Sequence, residues 1–347
     1  MKLHYFPYQL QFKHPFSTSH GTRAFTDVIF VELEHNGITG YGEAALPPYL
    51  EETPESVTTL LKKIDFSQFE NPLETDKILD EVDAIEKRNP AAKAAVDIAL
   101  HDLAGKISSN SVAEIYGIED SEMPDCTFTI GIGDAQSIKE KIKEAEPFNI
   151  LKVKLGSEND KKAIEIITSE TDKPFCVDVN QGWKDWRFAI DTVHWLAEKG
   201  AFLVEQPLPK EMLNESARIM EESPIPIIAD ESCQRLQDIE RIKGAFSGIN
   251  VKLMKSTGIS EAHKMIKLAK ELEMKVLIGC MSESSCGVTA AAHLAPLCDW
   301  ADLDGPYLIK NDPFDGMKIA NGKVHVSNGT GICANSNNLY PSKSQKP

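Results

Sequence analysis

The sequence predicts an α/β protein: a barrel of alternating strands and helices that carries a smaller α+β domain. Three observations lead there. The 347 residues exceed what a single hydrophobic core usually fills, so one large and one smaller domain are expected. From residue 126 onward, short apolar runs alternate with amphipathic helical stretches, the rhythm of βα units around a parallel sheet. Nearly every run ends in an ionisable residue, and C-terminal strand ends are where a βα barrel builds its active site.

In chain order, residues 28–34 alternate apolar and polar, Asn36-Gly37 supplies a tight turn, and 39–43 returns, which together predict a β-hairpin. Helical periodicity predicts helices over 54–64, 76–85 and 90–106, the last long and Ala-rich, and a first domain ending near residue 125. Eight strand candidates follow, at 126–132, 150–154, 175–178, 202–205, 225–229, 248–252, 275–279 and 300–303. Eight runs in about 180 residues suit a closed barrel better than an open sheet. Beyond Pro306 the chain turns Gly- and Asn-rich, with a hairpin signal at 317–325 and a polar tail from 336 expected to be disordered.

Composition removes several classes. A net charge of -16 leaves no basic footprint for nucleic acid or anionic lipid. The seven cysteines are scattered and never spaced as Cys-x-x-Cys, so neither a disulfide framework nor a zinc ribbon is indicated. The first residues lack the order of a secretory signal and no apolar run reaches membrane-spanning length, so a cytoplasmic location is expected.

The chemistry sits at the strand ends. A single charged residue after a strand is ordinarily a solvated loop residue or a helix cap, but here strands two to six and strand eight all end in one. Lys152 and Lys154 are two apart and so project to the same face, where each is expected to lower the other's pKa and favour the neutral amine that a base requires. Lys252 ends strand six, on the opposite side of an eight-stranded barrel. Asp178, Glu205 and Asp230 end strands three to five, each about 25 residues from the next, one βα unit. Three convergent carboxylates repel unless a cation joins them, and an all-oxygen set favours Mg²⁺ over zinc. Asp302 and Asp304 form a second pair on one face, suited to a substrate ammonium.

With these motifs the chain resembles the enolase superfamily, in the muconate lactonizing enzyme subgroup, and most closely its dipeptide epimerases of the Ala-Glu kind. The resemblance runs from Gly40-Tyr41-Gly42-Glu43 through the Ala-rich helix and every strand-end motif to Gly305-Pro306. It implies a (β/α)7β TIM-like barrel over 126–310 with an α+β capping domain over 1–125, completed by 311–335. It implies one Mg²⁺ per subunit on Asp178, Glu205 and Asp230, acid/base catalysis by Lys154 and Lys252, and a substrate carboxylate steadied by Lys152. Asp302 and Asp304 would capture a dipeptide's free ammonium, with Thr129, Met281, Ser282 and the capping-loop position Gly21 also touching substrate.

The implied reaction is epimerisation of Ala-X dipeptides by two-base proton transfer, in peptidoglycan-peptide turnover, by a homo-oligomer that binds neither nucleic acid nor membrane. An arginine of Ala-Glu epimerases follows a Pro-Phe-x-Thr string. Aligned on Pro15-Phe16-Ser17-Thr18, that position holds Gly21, with Arg23 out of register, so a small or apolar second residue is expected rather than glutamate. The competing readings are an N-acylamino acid racemase, an o-succinylbenzoate synthase or a muconate-type cycloisomerase, whose substrates offer no ammonium to the aspartate pair. A sugar-acid dehydratase fits less well, since Gly279-Cys280-Met281-Ser282 stands where such relatives carry a histidine. A non-catalytic barrel would need no opposed lysines.

Overall fold

Three antiparallel strands, β1 (Lys2–Thr18), β2 (Gly21–His35) and β3 (Ile38–Ala45), open the chain in the order β1-β2-β3. The computed structural model describes residues 1–18, 21–47, 50–118 and 122–337. The hairpin expected around Asn36-Gly37 is present, with His35 paired to Ile38. Strand β1 has no counterpart among the sequence expectations. It contains Pro7 and lies at the sheet edge, where a residue without an N–H is tolerated, and its pairing with β2 shifts register between Gln11 and Phe16.

Helices α1 (Pro54–Leu61), α2 (Thr75–Ala84), α3 (Pro90–Ser108) and α4 (Val112–Ile115) follow. Helix α1 starts where Thr53 and Ser56 form a reciprocal capping box, with Pro54 at the first helical position. Helix α3 is buried from Ala91 to Gly105 because it lies between the sheet and the barrel. Its alanines let β3 approach to backbone contact: a Cβ on Gly42 would fall on the Ala95 carbonyl oxygen, and one on Gly40 on that of Ala99.

The barrel alternates β4 (Thr127–Ile130), α5 (Ala135–Glu144), β5 (Ile150–Lys154), α6 (Asp160–Glu170), β6 (Phe175–Asp178), α7 (Trp186–Glu198), β7 (Ala201–Glu205) and α8 (Leu213–Glu222). It continues with β8 (Ile227–Ala229), α9 (Asp238–Ile242), β9 (Gly248–Lys252), α10 (Ile259–Glu271), β10 (Lys275–Gly279), α11 (Ser285–Ala292), β11 (Trp300–Asp302) and α12 (Gly305–Leu308). The eight strands run parallel in the order β11 to β4. A parallel bridge between Cys126 and Ala301, with the Ala301 N–H donating to the Asp125 carbonyl, brings the first and last strands together. All eight expected strands are present, within a few residues of their expected ends.

The C-terminal segment returns to the capping sheet. It carries β12 (Phe314–Asp315), β13 (Lys318–Ala320), β14 (Lys323–His325) and β15 (Asn335–Ser336), and Phe314 packs against Phe30 and Tyr41. Ser336 pairs with Phe314, so ordered chain extends past the expected start of the tail, while 338–347 lie outside the described residues. Among the described residues no helix is long and apolar enough to cross a membrane.

Two carboxylates of the capping domain reach into the barrel. Asp97 on α3 accepts the Ile259 and Ser260 N–H groups at the start of α10, and Glu43 on β3 accepts those of Ser284 and Gly287 at the start of α11. Anions at helix N-termini satisfy orphan donors and complement the helix dipole. Close backbone packing of β3 on α3 makes this seating possible. Gly42→Ala is therefore expected to lower stability by about 3 kcal/mol or more, measured by urea denaturation.

Candidate active site

Strand register brings the ionisable ends to one level. Lys154 pairs with Asp178 across β5 and β6, and Asp178 with Glu205 across β6 and β7. Asp178, Glu205 and Asp230 are buried, and each offers one oxygen atom within 4.8 Å of the others. Such a set is compatible with the hard divalent ion expected from the sequence, because it is all oxygen and closely convergent.

Lysines offset this charge. Lys152 Nζ donates to Asp302 at 2.6 Å and Glu205 at 2.7 Å, and lies 3.0 Å from Asp178. Lys154 Nζ donates to Asp178 at 2.6 Å, and Lys252 Nζ to Asp230 at 2.8 Å. The expected mutual lowering of the Lys152 and Lys154 pKa values does not hold for Lys152. Burial favours its neutral amine, but Asp178, Asp302 and Glu205 together outweigh burial and hold its pKa well above the ordinary lysine value. Lys152 is thus an ammonium.

The acids divide in turn. Burial works against ionising Asp178, yet Lys152 and Lys154 keep its pKa below the usual carboxylate range; Lys252 and Lys255 do the same for Asp230. Glu205 is pushed up to about 7 by burial and by the charges of Asp178 and Asp230. Asp304 is raised to about 6, by burial and then by Asp302.

Several supporting residues carry no role in the sequence reading. Lys255 Nζ donates to Asp230 Oδ1 at 2.5 Å and to the carbonyls of Asp230, Asn250 and Cys233. Asn250 Nδ2 donates to Glu205 Oε1 at 2.8 Å. Gln206, in left-handed backbone at φ 38°, accepts the Asp230 and Ser232 N–H groups through Oε1 and so ties the end of β7 to that of β8. Asn180, also left-handed, accepts from Lys154 at 3.2 Å. The only signal in the sequence is their polarity beside the ligand candidates; their partners are set by the barrel.

Above this floor lies a cavity of about 180 Å³ that opens to solvent. Thr129, Lys152, Lys154, Lys252, Met281, Ser282, Asp302, Asp304 and Gly21 all line it, as do Asn180 and Cys280. Asp302 accepts from Thr127 Oγ1 at 2.7 Å as well as from Lys152, and Asp304 accepts the Thr129 N–H at 2.6 Å. Gly21 begins β2 with φ 124° and opens onto empty space. Arg23, two residues on, lines the same cavity. Its guanidinium lies over the Phe12 ring, 5.8 Å from the centroid.

The match to known families follows these features. Residues 3–117 match the mandelate racemase / muconate lactonizing enzyme N-terminal domain, and 135–338 match the enolase C-terminal domain-like family. The chain belongs to the enolase superfamily. This superfamily member is 51% identical over 333 residues to an L-Ala-D/L-Glu epimerase of Bacteroides thetaiotaomicron, spanning 96% of this chain and 87% of the relative. It is 37% identical over 316 residues to an L-Ala-D/L-amino acid epimerase of Maribacter sp., covering 90% and 92% of the two chains. A dipeptide epimerase from Enterococcus faecalis, solved with Mg and L-Leu-L-Tyr, superposes with a TM-score of 0.88 at 30% identity over 96% of this chain and 98% of that one. The enzyme is an isomerase of the racemase and epimerase class.

Lys255 is the buried partner whose loss tests the charge balance of the floor. Lys255→Met leaves Asp230 short of one counter-charge and three carbonyls short of a donor. It is expected to cost about 3–5 kcal/mol in urea denaturation.

Proposed function

We propose that this enzyme is a Mg²⁺-dependent dipeptide epimerase that inverts the α-carbon of the C-terminal residue of L-Ala-X dipeptides. The observation that carries this is the pair Lys154 and Lys252, on strands four apart in the eight-stranded order, lining one cavity over three convergent carboxylates. Epimerase names among its relatives support the same reading.

Removing a proton α to a carboxylate puts a second negative charge on that group, giving an enediolate. Asp178, Glu205 and Asp230 would hold a magnesium ion, which would supply the Lewis acid that makes this charge accessible; pairing such an ion with a lysine base is a general pattern of enolase-type sites. One of Lys154 and Lys252 takes the α-proton from one face, and the other delivers a proton to the opposite face. The Lys152 ammonium adds positive potential beside the reacting carboxylate. Asp302 and Asp304 give the wall the negative charge that a dipeptide's ammonium requires, which N-acylamino acids, o-succinylbenzoate and muconates lack. Thr129, Met281 and Ser282 complete the contact surface.

The nature of X follows from the capping loop. Gly21 alone favours a small or apolar side chain, as the sequence suggests. Arg23 changes that expectation, because a guanidinium in the same cavity wall favours a carboxylate, as in L-Ala-Glu.

In deuterated water with Mg²⁺, the enzyme is expected to add one deuteron to the C-terminal residue of L-Ala-L-Glu, read by mass spectrometry, and to lose this with EDTA. No exchange into any Ala-X dipeptide would overturn the epimerase reading. Lys154→Ala and Lys252→Ala are each expected to slow inversion by about 10³-fold or more, and normal inversion by either would break the two-base scheme. Arg23→Ala should raise KM for L-Ala-L-Glu about 10- to 100-fold while changing L-Ala-L-Val little. An equal effect on both substrates would return X to the small and apolar class.

A further inference from the structure

Two acids outside the metal-ligand set meet beneath the pocket wall. Glu43, on β3 of the capping domain, and Glu283, in the loop between β10 and α11, are both buried, at 0% and 1% exposure. Glu43 accepts the Ser284 N–H at 3.0 Å, the Ser284 hydroxyl at 2.5 Å and the Gly287 N–H at 3.0 Å, a set of donors suited to an anion. Glu283 Oε1 accepts a single backbone donor, the Met281 N–H, at 2.6 Å. Their second oxygens crowd one point: a Cβ on Gly287 would collide with Glu283 Oε2 and sit 3.2 Å from Glu43 Oε2.

Two carboxylates cannot both ionise cheaply in such a place. The surroundings do not relieve them. Asp312, on the C-terminal segment, adds negative charge near Glu43, and the thiols of Cys280 and Cys286, which burial pushes up, stay neutral. Lys252 on β9 is the cation that acts on Glu283, and it is committed to Asp230. Burial raises the pKa of both acids, and the Glu43 charge raises that of Glu283 further.

We propose that Glu283 is a positioning residue that carries a proton at neutral pH beside an ionised Glu43, and that this neutral–anion pair fastens the wall segment Cys280-Met281-Ser282 to the capping domain. Glu43 is held by the start of α11, and Glu283 sets the Met281 backbone. Protonation removes the repulsion that would otherwise push the loop and β3 apart. Since Met281 and Ser282 line the cavity and β3 belongs to the cap, the pair joins the shape of the pocket wall to the seating of the cap. Nothing in it depends on the identity of the substrate.

The test uses the full chain and Glu283→Gln, an isosteric side chain that is always neutral. A raised folded-state pKa contributes stability that is complete at acidic pH and is lost as pH rises through the raised value. The wild-type Tm should therefore fall as pH climbs above neutral, and Glu283→Gln should lose part of that slope. In infrared difference spectra, wild type minus Glu283→Gln should show a neutral-carboxyl band at pH 7 that is gone at pH 10. Absence of that band, an unchanged Tm slope, or a Glu283→Gln chain that fails to fold while Glu43→Gln folds would each overturn the proposal, since each means that Glu283 is ionised.

Discussion

Everything at the mouth of this barrel depends on keeping three buried carboxylates next to one another. Asp178, Glu205 and Asp230 stand within ligand distance of a common point, away from water. Uncompensated, such charges would force the strand ends apart. Four lysines, Lys152, Lys154, Lys252 and Lys255, are placed to prevent this, and each is hydrogen-bonded to at least one of the three acids. Three of them also face the cavity, so the groups that stabilise the floor are available for chemistry above it. Lys255 lies deeper and serves the floor alone.

The capping domain is coupled to the barrel by the same kind of interaction. Asp97 and Glu43 satisfy the N-termini of α10 and α11, two barrel helices that follow β9 and β10. Helix α3 and strand β3 can deliver these side chains because Ala95, Ala99, Gly40 and Gly42 permit backbone contact. The cap also brings Gly21 and Arg23 to the cavity. The cavity is thus lined from both sides, by Lys152, Lys154 and Lys252 of the barrel and by Gly21 and Arg23 of a separate sheet held by buried carboxylates.

The sequence by itself determined the βα rhythm, the eight strands and the convergence of acids and lysines at their ends. These features are local: a period of two places Lys152 and Lys154 on one face, and the repeat of a βα unit places Asp178, Glu205 and Asp230 on neighbouring strands. Tertiary structure alone decided the partners. Edge strand β1 is not legible in the sequence because its prolines weaken the pattern, while the sheet edge tolerates them. Lys152 is an ammonium because strands β6, β7 and β11 bring three acids to it. Gln206, Asn250 and Lys255 gain their roles at the acids from neighbours 24 to 45 residues away in sequence, and Arg23 comes to the cavity through the path of β2. Periodicity fixes which way a side chain points along its own strand, but the field it meets is the sum of charges from other strands, and that sum exists only once the barrel has closed.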